Sequence, residues 1–361
     1  MKYIDEFRNA SIIKSIKNKI QTEFDGHPVN FMEVCGGHTH AICKFGIRDL
    51  LPQNINLISG PGCPVCVTEK SYIDKAVKLA KQKNVIIATF GDMVKVPGSQ
   101  GSLKDNRQTP DNIKICYSPM ESIQMSQENP DREIVFLAVG FETTAPAIAS
   151  SVIQANKQSL DNFSILPGNK TMPAAMEALL QAKDVRIDGF ICPGHVSTIT
   201  GTGIYDFIPE KYEVPCVVSG FEPVDIMATI YQLINQINTE KPKVQNQYKR
   251  SVRQEGNLKA LRAIEQVFEN SSAIWRGLGE ISNSGLQLRP KYKSFDANKK
   301  FDIKIETLQD NSACICGEIM RGAKLPTDCS LFETVCTPET PEGPCMVSSE
   351  GACAAFYHYQ K

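Results

Sequence analysis

Val29-Asn30-Phe31-Met32-Glu33-Val34-Cys35-Gly36-Gly37-His38-Thr39-His40 is the stretch from which the fold is read. The apolar run Val29 to Val34 predicts a buried strand of a parallel sheet. It stops at a cysteine, two glycines and two histidines. In an open α/β sheet, ligands bind in the loops beyond the carboxyl ends of the strands. Paired glycines let the backbone approach a guest closely. Cys35, His38 and His40 would thus offer one thiolate and two imidazoles, the natural ligands of iron, zinc or copper. The plainer alternative is a packed cysteine beside histidines satisfied by backbone.

Outward from this stretch the pattern repeats. Strand-like runs follow at Ile55–Ser59, Val85–Phe90, Ile113–Tyr117, Ile134–Val139, Phe163–Leu166, Gly189–Cys192 and Pro215–Ser219. Helical patterns lie between them, among them Thr68–Lys83, Ala145–Gln158 and Met172–Ala182, and an amphipathic helix opens the chain over residues 4–24. Strand, helix, strand at intervals of about 20–30 residues is the signature of βαβ units. The expected fold class is α/β. Two doubly wound, Rossmann-like parallel-sheet domains would face a cleft, followed by a C-terminal helical or irregular iron–sulfur domain. The expected boundaries are 1–118, 119–240 and 241–361. Another helical pattern covers 222–239, Thr239–Tyr248 reads as a linker, and Gly256–Asn270 as a further helix.

Composition narrows the chemistry. A net charge of −1 over 361 residues gives no reason to expect a polyanionic partner, so nucleic acid is not expected. No signal peptide or apolar run of membrane-spanning length is visible, which points to a cytoplasmic protein without a membrane partner. Thirteen cysteines in a reducing compartment then argue for metal ligation or thiol chemistry over disulfides. Phosphate-loop, Gly-x-Gly-x-x-Gly and Cys-x3-Cys-x2-Cys motifs are all missing, so neither nucleotide binding nor radical chemistry with S-adenosylmethionine is supported.

Further chemistry-bearing residues sit at other strand ends. Gly60-Pro61-Gly62-Cys63-Pro64-Val65-Cys66 places two thiols before the expected helix at Thr68, whose amides and dipole would favour thiolate. Redox work and half of a zinc site both remain open. Asp92, Glu142 and His195 each follow a strand, and Glu142 would also suit a helix N-terminus. Near the C-terminus, Cys314, Cys329, Cys336 and Cys353 supply four thiolates, the complement of a four-iron cluster or a zinc site. Cys316 and Cys345 are surplus, and Cys316 could replace Cys314.

Together these motifs resemble one family, HypD, the maturation factors for nickel–iron hydrogenases. The resemblance rests on Cys35-Gly36-Gly37-His38-Thr39-His40, Gly60-Pro61-Gly62-Cys63-Pro64-Val65-Cys66, Gly91-Asp92-Met93 with Val96-Pro97-Gly98-Ser99, Gly140-Phe141-Glu142-Thr143-Thr144 and Pro193-Gly194-His195-Val196. It continues through Arg321-Gly322, Pro326-Thr327-Asp328-Cys329 and Val347-Ser348-Ser349-Glu350-Gly351-Ala352-Cys353. It implies an assembly scaffold rather than a high-turnover enzyme, holding with a HypC-type partner the iron that becomes Fe(CN)2CO. A HypE-type partner, served by HypF, would deliver cyanide. The resemblance makes Cys35 an iron ligand, places His38 at the same site and makes Cys63 and Cys66 a redox pair. It gives Cys314, Cys329, Cys336 and Cys353 a 4Fe-4S cluster. Asp92, Glu142, His195 and Glu350 are then candidates for proton carriers or for groups that orient the ligands. The alternatives are a free-standing iron–sulfur thiol–disulfide oxidoreductase and a zinc-stapled binding protein.

Overall fold

The structure is a computed structural model, and it describes residues 5–106, 112–182, 184–305 and 313–360. Helix α1 (Ala10–Glu23) leads into β1 (Val29–Glu33), α2 (Gly36–Lys44) and β2 (Ile55–Ser59). Helix α3 (Lys70–Ala80) then carries the chain to β3 (Val85–Thr89), β4 (Ile113–Ile115), α4 (Pro119–Glu128), β5 (Glu133–Gly140), α5 (Ala145–Lys157) and β6 (Phe163–Asn169). Helix α6 (Met172–Gln181) returns it to β7 (Gly189–Pro193), α7 (Gly194–Thr200), α8 (Phe207–Tyr212), β8 (Cys216–Ser219), α9 (Pro223–Asn238) and β9 (Val244–Asn246). All eight expected strands are present.

They form two parallel sheets. The first has the order β2-β1-β7-β8-β9 and the second β4-β3-β5-β6. Burial on both faces explains the continuous apolar runs: every residue of β5 after Glu133 is buried. Phe31, Ile191, Val217 and Leu233 fill one face of the first sheet, and Ile86, Phe136, Ile148 and Phe163 one face of the second. In each sheet the strand order reverses once, between β1 and β7 and between β3 and β5. Connections leave such a switch point in opposite directions and open a crevice at the strand ends. Cys35 and His38 follow β1, His195 follows β7, Asp92 follows β3 and Glu142 follows β5.

The expected boundary at 118 does not divide the sheets. The first sheet takes β1 and β2, then β7 to β9, and the second is inserted between them. The chain at this boundary is a helix start, with Ser118 as the N-cap of α4. Ser118 Oγ accepts the Met120 N–H (3.2 Å), and Glu121 accepts the N–H groups of Tyr117 and Ser118 (3.0 and 2.9 Å). Nor is 241–361 a unit apart. The expected linker contains β9, which pairs with β8 as an edge strand.

After α10 (Leu258–Val267) the chain forms an antiparallel hairpin, β10 (Phe268–Trp275) and β11 (Gly279–Leu288). Helix was expected as far as Asn270. Alternating burial from Phe268 onward, and packing of Phe268, Leu286 and Leu288 on the second sheet, favour strand instead. Trp275 at the hairpin tip is fully buried, donates Nε1–H to Ser284 Oγ (2.8 Å) and stacks on Phe141 (5.8 Å). Its neighbour Arg276 donates its N–H to Val67 O (2.9 Å), so the hairpin props the loop that bears Cys63 and Cys66.

The remainder carries short helices: α11 (Ala297–Lys300), α12 (Cys316–Met320), α13 (Pro344–Val347) and α14 (Ala352–Tyr359). Ala355 and Phe356 of α14 pack with Cys43 of α2. Among the described residues, no helix is long and apolar enough to cross a membrane.

Candidate functional site

Cys35 ends the first strand connection as the N-cap residue of α2. The expected loop is therefore the first turn of a helix, and the glycines serve close packing. The Gly37 and His38 amides face the Cys35 sulfur at the helix start, an arrangement suited to thiolate, while the His38 N–H itself donates to Cys35 O (2.8 Å). Burial first, then the Glu350 and Glu33 carboxylates, outweigh those amides and push the thiol up to about 12. A metal ion reverses that balance, since binding to a thiol releases its proton. Glu33 is fully buried beside it, accepting the Cys35 N–H (3.2 Å) and the Thr39 hydroxyl (2.5 Å), and burial raises it to about 8.

The turn from Gly60 to Cys66 lies against Cys35. Gly60 N–H donates to Glu33 O (2.8 Å) and Gly36 N–H to Gly62 O (3.0 Å). Cys66 N–H donates to Cys63 Sγ (3.3 Å). The expectation that a following helix would favour thiolate here fails. Helix α3 starts only at Lys70, both cysteines are buried, and desolvation pushes the Cys66 thiol well up.

His38 is buried, and its Nε2 lies 3.2 Å from Ser219 O and 3.0 Å from Gly220 O. Both are acceptors, so Nε2 carries the hydrogen and Nδ1 keeps a bare lone pair. Among the described residues that Nδ1 has no hydrogen-bond partner. Desolvation lowers the imidazole to about 4 and keeps it neutral. A ring nitrogen held free by a backbone-bonded partner nitrogen is the usual state of a metal-ligating histidine. His40 turns away and bonds instead to Ser349 O (3.3 Å) and Tyr359 Oη (3.4 Å).

Glu350 packs against Gly36, where an added Cβ would come 2.4 Å from its backbone oxygen, and its charge faces both Cys35 and Asp92. A cavity of ≈ 10 Å3, room for about one water molecule, lies between Gly36, Cys63, Cys66, Cys345 and Glu350. The fold thus gathers Cys35, Cys63, Cys66 and Glu350, with His38 on the same helix turn and Asp92 beyond Glu350. His195 joins through Phe221, on which both imidazoles stack.

The C-terminal cysteines come together, with a change of partners. Cys314 Sγ lies 3.1 Å from Cys316 Sγ, and Cys345 hydrogen-bonds with Cys316, Cys353 and Cys66. The two thiols left over by sequence spacing therefore stand centrally, between the Cys63–Cys66 turn and the rest. Cys336 is buried within electrostatic reach of Cys314 and Cys316, whereas Cys329 is half-buried on a neighbouring turn. Six soft donors within 40 residues suit an iron–sulfur cluster. Gly343 leaves room beside them, since a Cβ there would sit 2.5 and 2.6 Å from the Cys314 and Cys316 sulfurs. The thiols are drawn onto one another, and among the described residues no three His, Cys, Asp or Glu side chains already stand in a metal-holding array.

Residues 10–360 match the family model described as "HypD: Hydrogenase formation hypA family". The chain belongs to the HypD family. It is 47% identical to hydrogenase maturation factor HypD2 of Bradyrhizobium diazoefficiens over 99% of this chain and 97% of that protein. It is 45% identical to hydrogenase maturation factor HypD of Cupriavidus necator, with the same coverage. To the hydrogenase expression/formation protein HupD of Azotobacter chroococcum it is also 45% identical, over 99% of this chain and 97% of that one. Membership gives the chain a role in hydrogenase maturation.

Two site residues escaped the sequence reading. Glu33 was counted as part of an apolar run, although a carboxylate inside a buried strand is itself a signal. Phe221 stands in Gly220-Phe221-Glu222, which repeats the Gly140-Phe141-Glu142 of another strand end and draws the eye to its carboxylate rather than to its ring. The carboxylates of that repeat have separate fates. Glu222 pairs with Arg8 (Nη2–Oε1 2.9 Å), while Glu142 is buried on the second sheet. Glu142 Oε1 accepts the Met172 N–H (2.9 Å) and its charge reaches Tyr205.

Burial raises Glu142 from 4.5 to about 7. The folded state thus holds this proton up to about 7 and the unfolded chain only up to about 4.5, so the group's contribution to stability is complete below 4.5 and lost as pH rises through 7. Between pH 5 and 8 wild-type protein is expected to lose up to about 3 kcal/mol from this group. Glu142→Gln should lack that component, which urea unfolding at the two pH values measures. Parallel pH profiles for both proteins would refute the assignment.

Proposed function

We propose that this chain is the scaffold on which the Fe(CN)2CO group of a nickel–iron hydrogenase is assembled. The observation that carries the reading is the packing of the Cys35 backbone against the turn that bears Cys63 and Cys66, which line one small cavity with Glu350, on a helix turn that also carries a histidine with a bare ring nitrogen. Iron is the cargo, and Cys35 and His38 are its holders here. A HypC-type partner supplies further donors and a HypE-type partner brings cyanide as a thiocyanate. Soft thiolate keeps iron electron-rich, as carbonyl and cyanide ligands require.

Releasing cyanide from a thiocyanate breaks a sulfur–carbon bond and needs two electrons. Cys63 and Cys66 provide them by becoming one disulfide, giving up two protons. The donor sulfur keeps one proton as a thiol, the carbon leaves as cyanide, and the second proton goes to a nearby base. Asp92, Glu350 and His195 reach solvent around the site and suit that proton traffic, while Glu142 is buried with its Oε1 tied to the Met172 N–H. A 4Fe-4S cluster, held by Cys353 with Cys314, Cys329 and Cys336, would supply electrons to reset the disulfide. Cys345 is placed to touch Cys66 from the side of that cysteine set.

Iron and acid-labile sulfide, measured on protein purified without oxygen, test the electron supply. About four of each per chain are expected, with loss of both in Cys353→Ala. Zinc without sulfide would overturn this part of the reading and leave the Cys35 loop as the place for iron chemistry.

A further inference from the structure

Three neighbouring strand ends of the first sheet, those of β1, β7 and β8, each send one ring into the same crevice. Phe221 lies between the imidazoles of His38 (centroids 4.6 Å, planes 23° apart) and His195 (4.0 Å, 24°). Each histidine follows a glycine, and each glycine packs on the same phenyl ring. A Cβ at Gly37 would stand 3.0 Å from Phe221 Cε1, and one at Gly194 would stand 3.2 Å from Phe221 Cε2. Tyr248 closes the far side edge-on (6.0 Å). Aromatic rings prefer such offset stacks, and a ring wedged between two glycine backbones has little freedom to turn.

We propose that Phe221 is a positioning residue that orients both imidazoles. Its ring sets the plane of His38 so that Nε2 aims at Ser219 O and Gly220 O together, which leaves Nδ1 as the unprotonated nitrogen. The carbonyls come from the residues just before Phe221, so one short segment supplies both the hydrogen-bond acceptors and the stacking surface. On the other face the same ring fixes His195, whose outer edge is exposed at the mouth of the crevice. Sequence spacing gives no hint of this, since Phe221 lies 183 residues from His38 and 26 from His195. The inference deepens the reading of His38 as a holder of iron, and it is tested without iron.

The chain has five histidines, so selective 15N-histidine labelling resolves them individually by NMR. Wild-type His38 is expected as a single tautomer with its hydrogen on Nε2. In Phe221→Leu, which fills the space without a π-face, the Nδ1–H form should appear beside it, and in Phe221→Tyr the single tautomer should persist. Maturation in strains carrying only the variant should fall about tenfold for Leu, within the range for losing a group that orients a metal ligand. Should Phe221→Leu fail to fold, Phe221→Met makes the same comparison with an unbranched chain. Wild-type His38 protonated on Nδ1, or an unchanged tautomer in the Leu or Met variant, would overturn the proposal. Loss of maturation with an unchanged tautomer would do the same, while leaving the scaffold reading intact.

Discussion

Replacing Cys35 with alanine is expected to abolish hydrogenase maturation, by about a hundredfold or more, while changing stability by only about 1 kcal/mol. The two effects separate because Cys35 does different things in fold and function. In the fold it is an N-cap residue whose backbone joins β1 to α2, and alanine keeps that backbone. Its side chain makes no cap of its own other than the sulfur contact with the Gly37 and His38 amides. In function it is the sulfur at the meeting point of α2, the Gly60–Cys66 turn and Glu350, and neither Cys63 nor Cys66 can replace it without leaving their own turn. Mature hydrogenase in a strain carrying only Cys35→Ala, together with the thermal midpoint of the purified variant, checks both halves. Normal maturation would remove Cys35 from the proposed iron site. A collapse in the midpoint would mean that its role is architectural.

Gly62→Ala should be more damaging still, because it strikes site and fold at once. A Cβ there would lie 2.2 Å from Cys35 N and 2.4 Å from both Cys35 Cα and Val34 C. These are backbone atoms at the end of a buried strand, so no flexible side chain can yield. The turn bearing Cys63 and Cys66 would have to lift away from Cys35, breaking the bond from Gly36 N–H to Gly62 O as it goes. A loss of about 3 kcal/mol or more, with loss of maturation, is the expected result. Gly203→Ala is the control. Its Cβ would meet nothing closer than Asp206 Oδ2 at 3.6 Å, so both readouts should stay near wild type. Equal urea midpoints for the two variants would show that the contact between the two cysteine motifs is looser than the structure draws it.

Much of this was legible in the chain. The eight strands were visible because a parallel sheet buried on both faces demands unbroken runs such as Ile134 to Val139, which few other environments tolerate. Helices α5, α6 and α9 were visible from their 3.6-residue periodicity for the same reason. The hairpin β10–β11 was missed because its outer face is wet, and Glu269, Ser271 and Ala273 blur the alternation. The short edge strand β9 was missed because three half-buried residues beside Pro242 carry no pattern at all.

By itself the sequence determined the fold class, the presence of cysteine and histidine at strand ends, and membership of the HypD family, since all three are written in short contiguous motifs. Only the tertiary structure decided which sheet each strand joins. Hydrogen-bonding partners in a parallel sheet are chosen by helical crossovers such as α3 and α6, and their direction is not encoded locally. It also decided which thiols meet. Cys66 and Cys345 are 279 residues apart, and they touch because the hairpin tip at Trp275 and helix α14 press distant segments onto one strand end. Glu33 and Phe221 also gained their roles from the fold: burial strips Glu33 of water and leaves the Cys35 amide and the Thr39 hydroxyl to answer it, and Phe221 becomes a stacking surface only once β1, β7 and β8 lie side by side.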